Sequence, residues 1–237
     1  GADDYSQGPK WAMAVDLANP DQIIDPAKGG RDLQQKWLRP VKPTSLLDDP
    51  VRTIRAVRYA VDLGLKIEPE TTALIRSAAG RLAGISTERK RDELFKVLDV
   101  GHIPLGIQLM DRLDVFQNIP LAVSTELDAS VTLARALEDV LAWLTGIKSV
   151  TRQATLYQVS LVTRLGRFSG QITSHFNGRN SSGHSRKALL HLACLAGGDP
   201  NLVSRQLGLS RVEAGFIEEI HQGQQGISQM IAAGQQL

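Results

Sequence analysis

The stretch LLDDPVRTIRAVRYAVDLG, residues 46–64, decides the fold. Asp49 is followed by a proline, an order typical of a helix N-terminus. Apolar side chains then recur at three- and four-residue steps until Gly64 ends the pattern. The segment therefore predicts a helix that buries one face against other helices, and this apolar face consists of Val51, Ile54, Val57 and Val61.

Three arginines share the same segment with Asp49. Arg52, Arg55 and Arg58 follow at steps of three, which places them within an arc of about 120°. A carboxylate can accept a hydrogen bond from the amino group of cytosine or adenine, and a neighbouring guanidinium can donate to the ring. Judged by residue types alone, the favoured interpretation is simpler: Asp49 caps the helix, and the arginines form ion pairs on a solvated face.

The rest of the chain is dominated by helical patterns. Strand-like pieces occur only near the N-terminus, at residues 11–17, 22–24 and 37–41, with a turn signal at Gly29-Gly30. The sequence therefore predicts an all-α protein with a small β remnant. The expected helices open at Pro69, Ser86 and Pro104, and continue at residues 126–145, 153–169, 185–196, 201–207 and 210–222.

Charge is distributed unevenly along the 237 residues. The net charge is only +2, yet residues 140–198 contain no Asp or Glu and seven Lys or Arg. This asymmetry favours a polyanionic partner. The single cysteine, Cys194, lies in an apolar run and is expected to be buried and inert. No metal site is expected at His184 and His191, because no acidic residue lies near them in sequence.

The chain has no apolar run of the ~20 residues that a membrane helix needs, and no signal peptide. We therefore expect a soluble, cytoplasmic protein without a membrane partner. The start at Gly1 is what a segment cut from a longer chain would show.

Residues 48–60 resemble the neck motif of class II tRNA nucleotidyltransferases (CCA-adding enzymes) and bacterial poly(A) polymerases. That motif is E-D-P-x-R-x-x-R-A-x-R-F-A, and here Asp48 replaces Glu and Tyr59 replaces Phe. The resemblance covers roughly residues 11–121. Its other matching segments are residues 24–26, 29–30, 32–33, 38–39, 63–64, 67–71, 85–89 and 92–94.

The resemblance assigns roles to particular residues. It implies that Asp49 and Arg52 act as a protein template that pairs with the incoming base, and that Arg55 and Arg58 contact the nucleotide. ATP and CTP would be the substrates of the parent enzyme, and the 3′ end of tRNA or another RNA its partner. With RNA as the partner, the acid-free stretch offers Arg164, Arg167, Arg186 and Lys187 as candidate RNA-binding residues, and Arg89, Lys90 and Arg91 are the candidates outside it.

The metal-binding part of the family's catalytic head has no counterpart in these residues. The head carries a Gly-Ser loop and a D-x-D pair for two metal ions, and the 237 residues contain no D-x-D. The family's R-R-D-F-T-x-N motif is also missing, since residues 5–11 are YSQGPKW. Two-metal phosphoryl transfer requires such carboxylates. We therefore predict no catalytic residue and no metal site in this chain, with Mg²⁺ needed only by a head.

The resemblance also predicts the domain organisation. Residues 1–42 would end the nucleotidyltransferase head, residues 43–116 would form a base-reading neck, and residues 117–237 a helical body and tail of the poly(A) polymerase C-terminal type. The predicted function is the base-recognition and RNA-binding part of a nucleotidyltransferase that is not catalytic alone. The alternatives are a regulatory RNA-binding relative and a helical protein-interaction module. Oligomeric state and the choice between CCA, CC, A and poly(A) addition stay open.

Overall fold

The computed structural model describes residues 13–121, 127–144, 156–196 and 199–232. In these residues the sheet content is limited to two small pairs of strands. An antiparallel hairpin joins β1 to β2, and a short parallel pair joins β3 to β4. The strands are β1 (Ala14–Asp16), β2 (Asn19–Ile24), β3 (Trp37–Leu38) and β4 (Lys66–Ile67).

Helices form the remainder of the described architecture, which confirms the predicted all-α class. The first six are α1 (Gly29–Gln34), α2 (Ser45–Asp48), α3 (Arg52–Asp62), α4 (Pro69–Ala79), α5 (Thr87–Asp99) and α6 (Ile103–Arg112). The next six are α7 (Leu127–Leu144), α8 (Leu156–Leu165), α9 (Ser169–Asn177), α10 (Arg186–Leu195), α11 (Pro200–Leu207) and α12 (Arg211–Ala232). Short 3₁₀ turns occupy Gly80–Gly84, Phe116–Asn118 and Gly166–Phe168.

The Gly29-Gly30 pair opens a helix, so the predicted turn there was wrong. The two backbone N–H groups each donate to a different carboxylate oxygen of Asp25, at 2.8 Å. This contact satisfies two of the donors that a helix N-terminus leaves unpaired. The prediction at Gly64 is confirmed, because its φ of 61° is a left-handed conformation that favours glycine after a helix.

Two helix boundaries in the C-terminal half differ from the predicted ones. In the described part of the helix predicted at residues 153–169, α8 ends at Leu165, a 3₁₀ turn begins at Gly166, and α9 begins at Ser169. Helix α12 continues ten residues past its predicted end at 222, through Gly223 and Gly226. Glycine costs up to about 1 kcal/mol in a helix interior, so it lowers helix stability without forbidding the helix.

One continuous hydrophobic core joins the two halves of the described chain. The predicted face of α3 is buried, with Ile54 and Val57 fully inaccessible. Leu94 of α5, Leu189 of α10 and Ile217 of α12 belong to the same cluster. Helices α10 and α11 both contact α5, so the C-terminal helices pack directly on the N-terminal ones.

Asp99, the last residue of α5, anchors the start of α10. Its carboxylate accepts hydrogen bonds from Nη2 of Arg179 at 2.7 Å and from Oγ of Ser185 at 2.5 Å. Its backbone carbonyl accepts from Nζ of Lys187 at 2.7 Å. Oγ of Ser185 also accepts from the N–H of Ala188, as an N-cap does. The segment before α10 is therefore fixed to the end of α5.

Trp143 is buried, and Cys194 bears on an expectation from the sequence. Cys194 is free and only half-buried, and burial raises its pKa to about 11, which keeps the thiol protonated near neutral pH. None of the described helices is long and apolar enough to cross a membrane.

Candidate nucleotide and RNA site

Asp49 does not cap α3, so that part of the prediction was wrong. The helix begins three residues later, at Arg52, and the backbone of Asp49 is extended. Its carboxylate instead lies between two arginines. Oδ1 accepts from Nη2 of Arg89 at 3.0 Å, and Oδ2 lies 3.6 Å from Nε of Arg52. The second distance exceeds hydrogen-bond range, so Oδ2 keeps the capacity to accept another donor.

Glu93 of α5 organises the other two arginines of α3. Its carboxylate is only 4% exposed and accepts from Nη2 of Arg55 and from Nζ of Lys96, both at 3.0 Å. Nε of Arg58 lies 3.5 Å from Oε2, an electrostatic contact without hydrogen-bond geometry. A buried carboxylate therefore faces three cations, which compensates for much of its desolvation.

The protonation equilibria of this cluster follow from the same contacts. Burial raises the pKa of Glu93, but the hydrogen bonds from Arg55 and Lys96 outweigh burial and hold it below the ordinary carboxyl value. The hydrogen bond to Glu93 in turn raises the pKa of Arg55. Both groups stay charged near neutral pH, so the arginine side chain keeps a fixed partner.

A cavity of about 230 Å³ lies beside the arginine face of α3. Arg52, Arg55 and Tyr59 line it from α3, and Arg39 with Val41 lines it from the segment after β3. Asp49 and Arg58 are not among its lining residues. The structure thus brings Arg52 and Arg55 to one cavity, pairs Asp49 with Arg52 nearby, and directs Arg58 toward Glu93.

Of the three candidate RNA-binding residues on α5, two are engaged inside the protein. Lys90 is buried, and its Nζ donates to the carbonyl of Leu82 at 3.1 Å. Arg91 donates from Nη1 to the carbonyl of Gly208 at 2.8 Å and pairs with Asp92. The expectation that Lys90 offers its charge to RNA is therefore corrected, because the ammonium is held in the core. Arg89 is exposed and bound to Asp49.

The cations of the acid-free stretch also divide into two groups. Lys187 binds the carbonyl of Asp99, and Arg186 donates from Nη1 to the carbonyl of His175 at 3.2 Å. Arg164 and Arg167 are exposed on the surface. Lys148 and Arg152, which belong to the same stretch, lie outside the described residues. The stretch is therefore partly structural, and Arg164 and Arg167 are the exposed ones among its four predicted RNA contacts.

Two buried acids were missed by sequence reasoning. Glu93 lies among the apolar positions of α5, where an acid signals a specific partner. Glu213 of α12 is also buried, and its Oε1 lies 2.6 Å from Nδ1 of His184. The ring of His184 stacks on Phe95 at 3.8 Å. The signal for both acids was available, since each is a charged residue at a core-facing position of its helix.

Metal binding finds no support among the described residues. No group of three His, Cys, Asp or Glu in that part of the chain could hold a metal ion.

The central segment of the chain matches a known protein family. Residues 64–124 match a family described as "Probable RNA and SrmB- binding site of polymerase A". A CC-adding tRNA nucleotidyltransferase of Geobacter sulfurreducens is 41% identical over 91 residues, which are 38% of this chain and 21% of the relative. An A-adding tRNA nucleotidyltransferase of Deinococcus radiodurans is 33% identical over 116 residues, 47% of this chain and 27% of the relative.

Solved structures share the fold at low sequence identity. A tRNA nucleotidyltransferase complexed with a primer tRNA and an incoming ATP analog superposes with a TM-score of 0.65 at 20% identity, over 88% of this chain and 54% of that one. A CCA-adding enzyme in complex with CTP gives a TM-score of 0.61 at 21% identity, over 93% of this chain and 46% of that one. At these identities the likeness concerns the fold alone.

These matches agree with the neck motif at residues 48–60 and with the helical architecture around it. The chain spans about a fifth to a third of the length of the curated relatives it matches. Over that part of their length, the chain is similar to tRNA nucleotidyltransferases in sequence and in fold.

Proposed function

We propose that this chain is the base-recognition and RNA-binding part of a template-independent RNA nucleotidyltransferase, of the kind that adds CCA or its parts to tRNA or adds a poly(A) tail. The observation that carries the proposal is the pairing of Asp49 with Arg52, 3.6 Å apart, next to a cavity that Arg52 and Arg55 line. The relatives' names and the match to an RNA-binding family model support RNA as the partner.

The pair presents an acceptor beside a donor. Cytosine and adenine each place an amino group next to a ring nitrogen acceptor, so either base complements Oδ2 of Asp49 and the guanidinium of Arg52. Uracil and guanine place a carbonyl where the amino group would be, and this oxygen would face the carboxylate. The arrangement therefore selects C and A against U and G by unpaired or repulsive contacts.

Two neighbouring residues would hold this pair in position. Arg89 binds Oδ1 of Asp49 and leaves Oδ2 directed elsewhere. Glu93 fixes Arg55 at the cavity. In this proposal Arg55 contacts the nucleotide's phosphates, Arg58 reinforces the local positive charge, and binding needs little rearrangement because the side chains are already ordered.

The test is a calorimetric titration of the chain with CTP, ATP, UTP and GTP. We expect CTP and ATP to bind more tightly, and Asp49→Ala to abolish the preference, with about 1–3 kcal/mol at stake for a bidentate contact. Asp48→Ala is the matched control, because Asp48 is an exposed carboxylate one position away. Equal affinities for all four nucleotides in the wild type would refute base reading by this pair.

Several narrower expectations stay predictions. They are the use of ATP and CTP as substrates, the requirement for Mg²⁺ by a catalytic head, the domain boundaries at residues 42 and 116, and the cytoplasmic location.

A further inference from the structure

A second candidate ligand site lies far along the chain from the α3 cavity. A groove of about 490 Å³ runs between α9, α10 and α12. Besides apolar residues, its lining includes basic and aromatic side chains, a glycine and one acid, namely His175, Arg186, Arg211, Gly215, Phe216 and Glu219. The proposed function does not use this groove.

The positive end of the groove is formed by two arginines. Arg186 is the first residue of α10 and Arg211 the first residue of α12, and these two helices pack against each other. Arg186 is held in place by the carbonyl of His175, while Arg211 is exposed. Two guanidinium groups at one end of a groove suit a phosphate, since each offers several N–H donors in a planar fork.

An aromatic wall lies beside the arginines. The ring centroids of His175 and Phe216 are 6.3 Å apart, with the rings tilted by 37°. His175 also makes an edge contact with Phe176, with centroids 5.3 Å apart. Aromatic faces next to a basic groove are the usual means by which proteins stack the bases of single-stranded nucleic acid.

The floor and far end of the groove complete the fit. A Cβ atom added at Gly215 would meet nothing within 4 Å, so the glycine leaves the floor open. Glu219 lies eight residues after Arg211, about 12 Å along α12. Its carboxylate disfavours phosphate at that end and is able to accept hydrogen bonds from a base amino group. The groove is thus basic at one end, acidic at the other and aromatic between them.

We propose that this groove binds one nucleoside phosphate unit, with the phosphate at Arg186 and Arg211 and the base against His175 and Phe216. The unit is one nucleotide of an RNA strand, or a free nucleotide of the same chemistry. As an RNA contact, the site would hold the strand at a point separate from the base-reading pair of Asp49 and Arg52.

The experiment measures fluorescence anisotropy of a labelled tRNA transcript and of a labelled hexacytidylate on the 237-residue chain. Arg211→Gln is expected to weaken binding about tenfold and to lower the salt slope by about one. Gly215→Gln fills the floor without changing charge and is expected to weaken binding similarly. Gly215→Ala, which adds only a methyl group, and Arg205→Gln, which removes an exposed charge on α11 outside the groove, should bind as the wild type does.

Free CMP provides the second arm, followed by the NMR resonances of His175. A CMP-dependent shift that Arg211→Gln and Gly215→Gln abolish would support the site even if the chain bound no RNA, and would identify a free nucleotide as its ligand. If the wild type binds RNA but both variants bind equally well, and CMP shifts nothing, the groove proposal is overturned while the proposed function stands. If the wild type binds neither RNA nor CMP, both proposals fail.

Discussion

Oε1 of Glu93 lies 3.0 Å from Nη2 of Arg55, although the two residues are 38 positions apart in sequence. The contact joins α5 to the arginine face of α3. Because the carboxylate is nearly inaccessible and Arg55 lines the cavity, a buried acid of α5 holds a side chain that we assign to the nucleotide. Positioning and stability therefore depend on the same carboxylate.

The first prediction concerns Glu93→Gln. The change leaves Arg55 and Lys96 without an anionic partner, and we expect unfolding to require about 1–3 kcal/mol less free energy, measured by urea denaturation. Arg55 remains partly solvated, which keeps the loss below that of a fully buried ion pair. Glu218→Gln, an exposed change on α12, is the control. An unchanged urea midpoint for Glu93→Gln would contradict the role given to the carboxylate.

The second prediction concerns acid pH. Burial raises the pKa of Glu213, but hydrogen bonds from His184, Ser210 and Asn180 outweigh burial, so the pKa lies below the ordinary carboxyl value. The pKa of Glu93 is lowered in the same way by its own contacts. A carboxyl group whose pKa is lower in the folded than in the unfolded protein stabilises the fold at pH values above its unfolded pKa. This stabilisation is lost as the pH falls through the pKa of the folded protein. The free energy of unfolding should therefore drop below about pH 4.5, the ordinary carboxyl value. In the Glu213→Gln variant, the loss of unfolding free energy at acid pH should be smaller than in the wild type.

The third prediction concerns His191 of α10, which is buried. Burial, followed by the charge of Lys187, lowers its pKa from 6.5 to about 4. The carbonyls of Leu98 and Lys187 favour the protonated ring, but neither ring nitrogen makes a hydrogen bond of good geometry with the described residues. Between about pH 6.5 and pH 4, His191 is therefore protonated in the unfolded chain and neutral in the folded chain.

Between pH 6.5 and 4 the free energy of unfolding should fall by up to about 1.4 kcal/mol per pH unit on account of His191. His191→Leu should remove this part of the pH dependence, because leucine does not titrate. Urea denaturation of both proteins at a series of pH values measures the slope. If the free energy of unfolding depends on pH in the same way for both proteins, the pKa of His191 is not lowered by folding, and the prediction is wrong.

The fourth prediction separates accessible cations from structural ones. Arg164→Gln with Arg167→Gln should weaken tRNA binding and lower the slope of log K against log salt by up to about two, since each phosphate contact contributes somewhat under one. Lys187→Gln should instead reduce stability, because Nζ is bound to the carbonyl of Asp99. Anisotropy at several salt concentrations and thermal unfolding make the comparison. Equal salt slopes for the double variant and the wild type would show that RNA is held elsewhere.

The fifth prediction concerns catalysis. The 237 residues contain no D-x-D pair, and two-metal transfer needs such carboxylates. The pure chain with tRNA and Mg²⁺ should incorporate no labelled CMP or AMP. Robust incorporation would show that other residues supply the metal ligands.

Much of the fold could be predicted because it follows from local patterns. The apolar steps at Val51, Ile54, Val57 and Val61 identified the buried face of α3, and Gly64 identified its end. The helical class followed in the same way. Periodicity and glycine both act within a few residues along the chain, which is the range that a single sequence reveals.

The site depended on contacts that local patterns cannot give. Asp49 was assigned as a helix cap from the next residue, yet its strongest partner is Arg89, 40 positions away. Lys90 was assigned to RNA together with its neighbours, yet its position on α5 turns it toward Leu82. Arg91 meets Gly208 across 117 positions. Packing of helices distant in sequence fixed these side chains.

The continuous core has a consequence for how the molecule can be divided. The family match ends at residue 124, but α10 covers a face of α5, and Asp99 binds three residues that precede or begin α10. The end of the matched segment is therefore not the end of an independently stable unit. A shortened chain that ends after α6 would expose the apolar surface of α5 that α10 covers, and it should precipitate. Amide hydrogen exchange should find α5 and α10 opening together, as parts of one foldon.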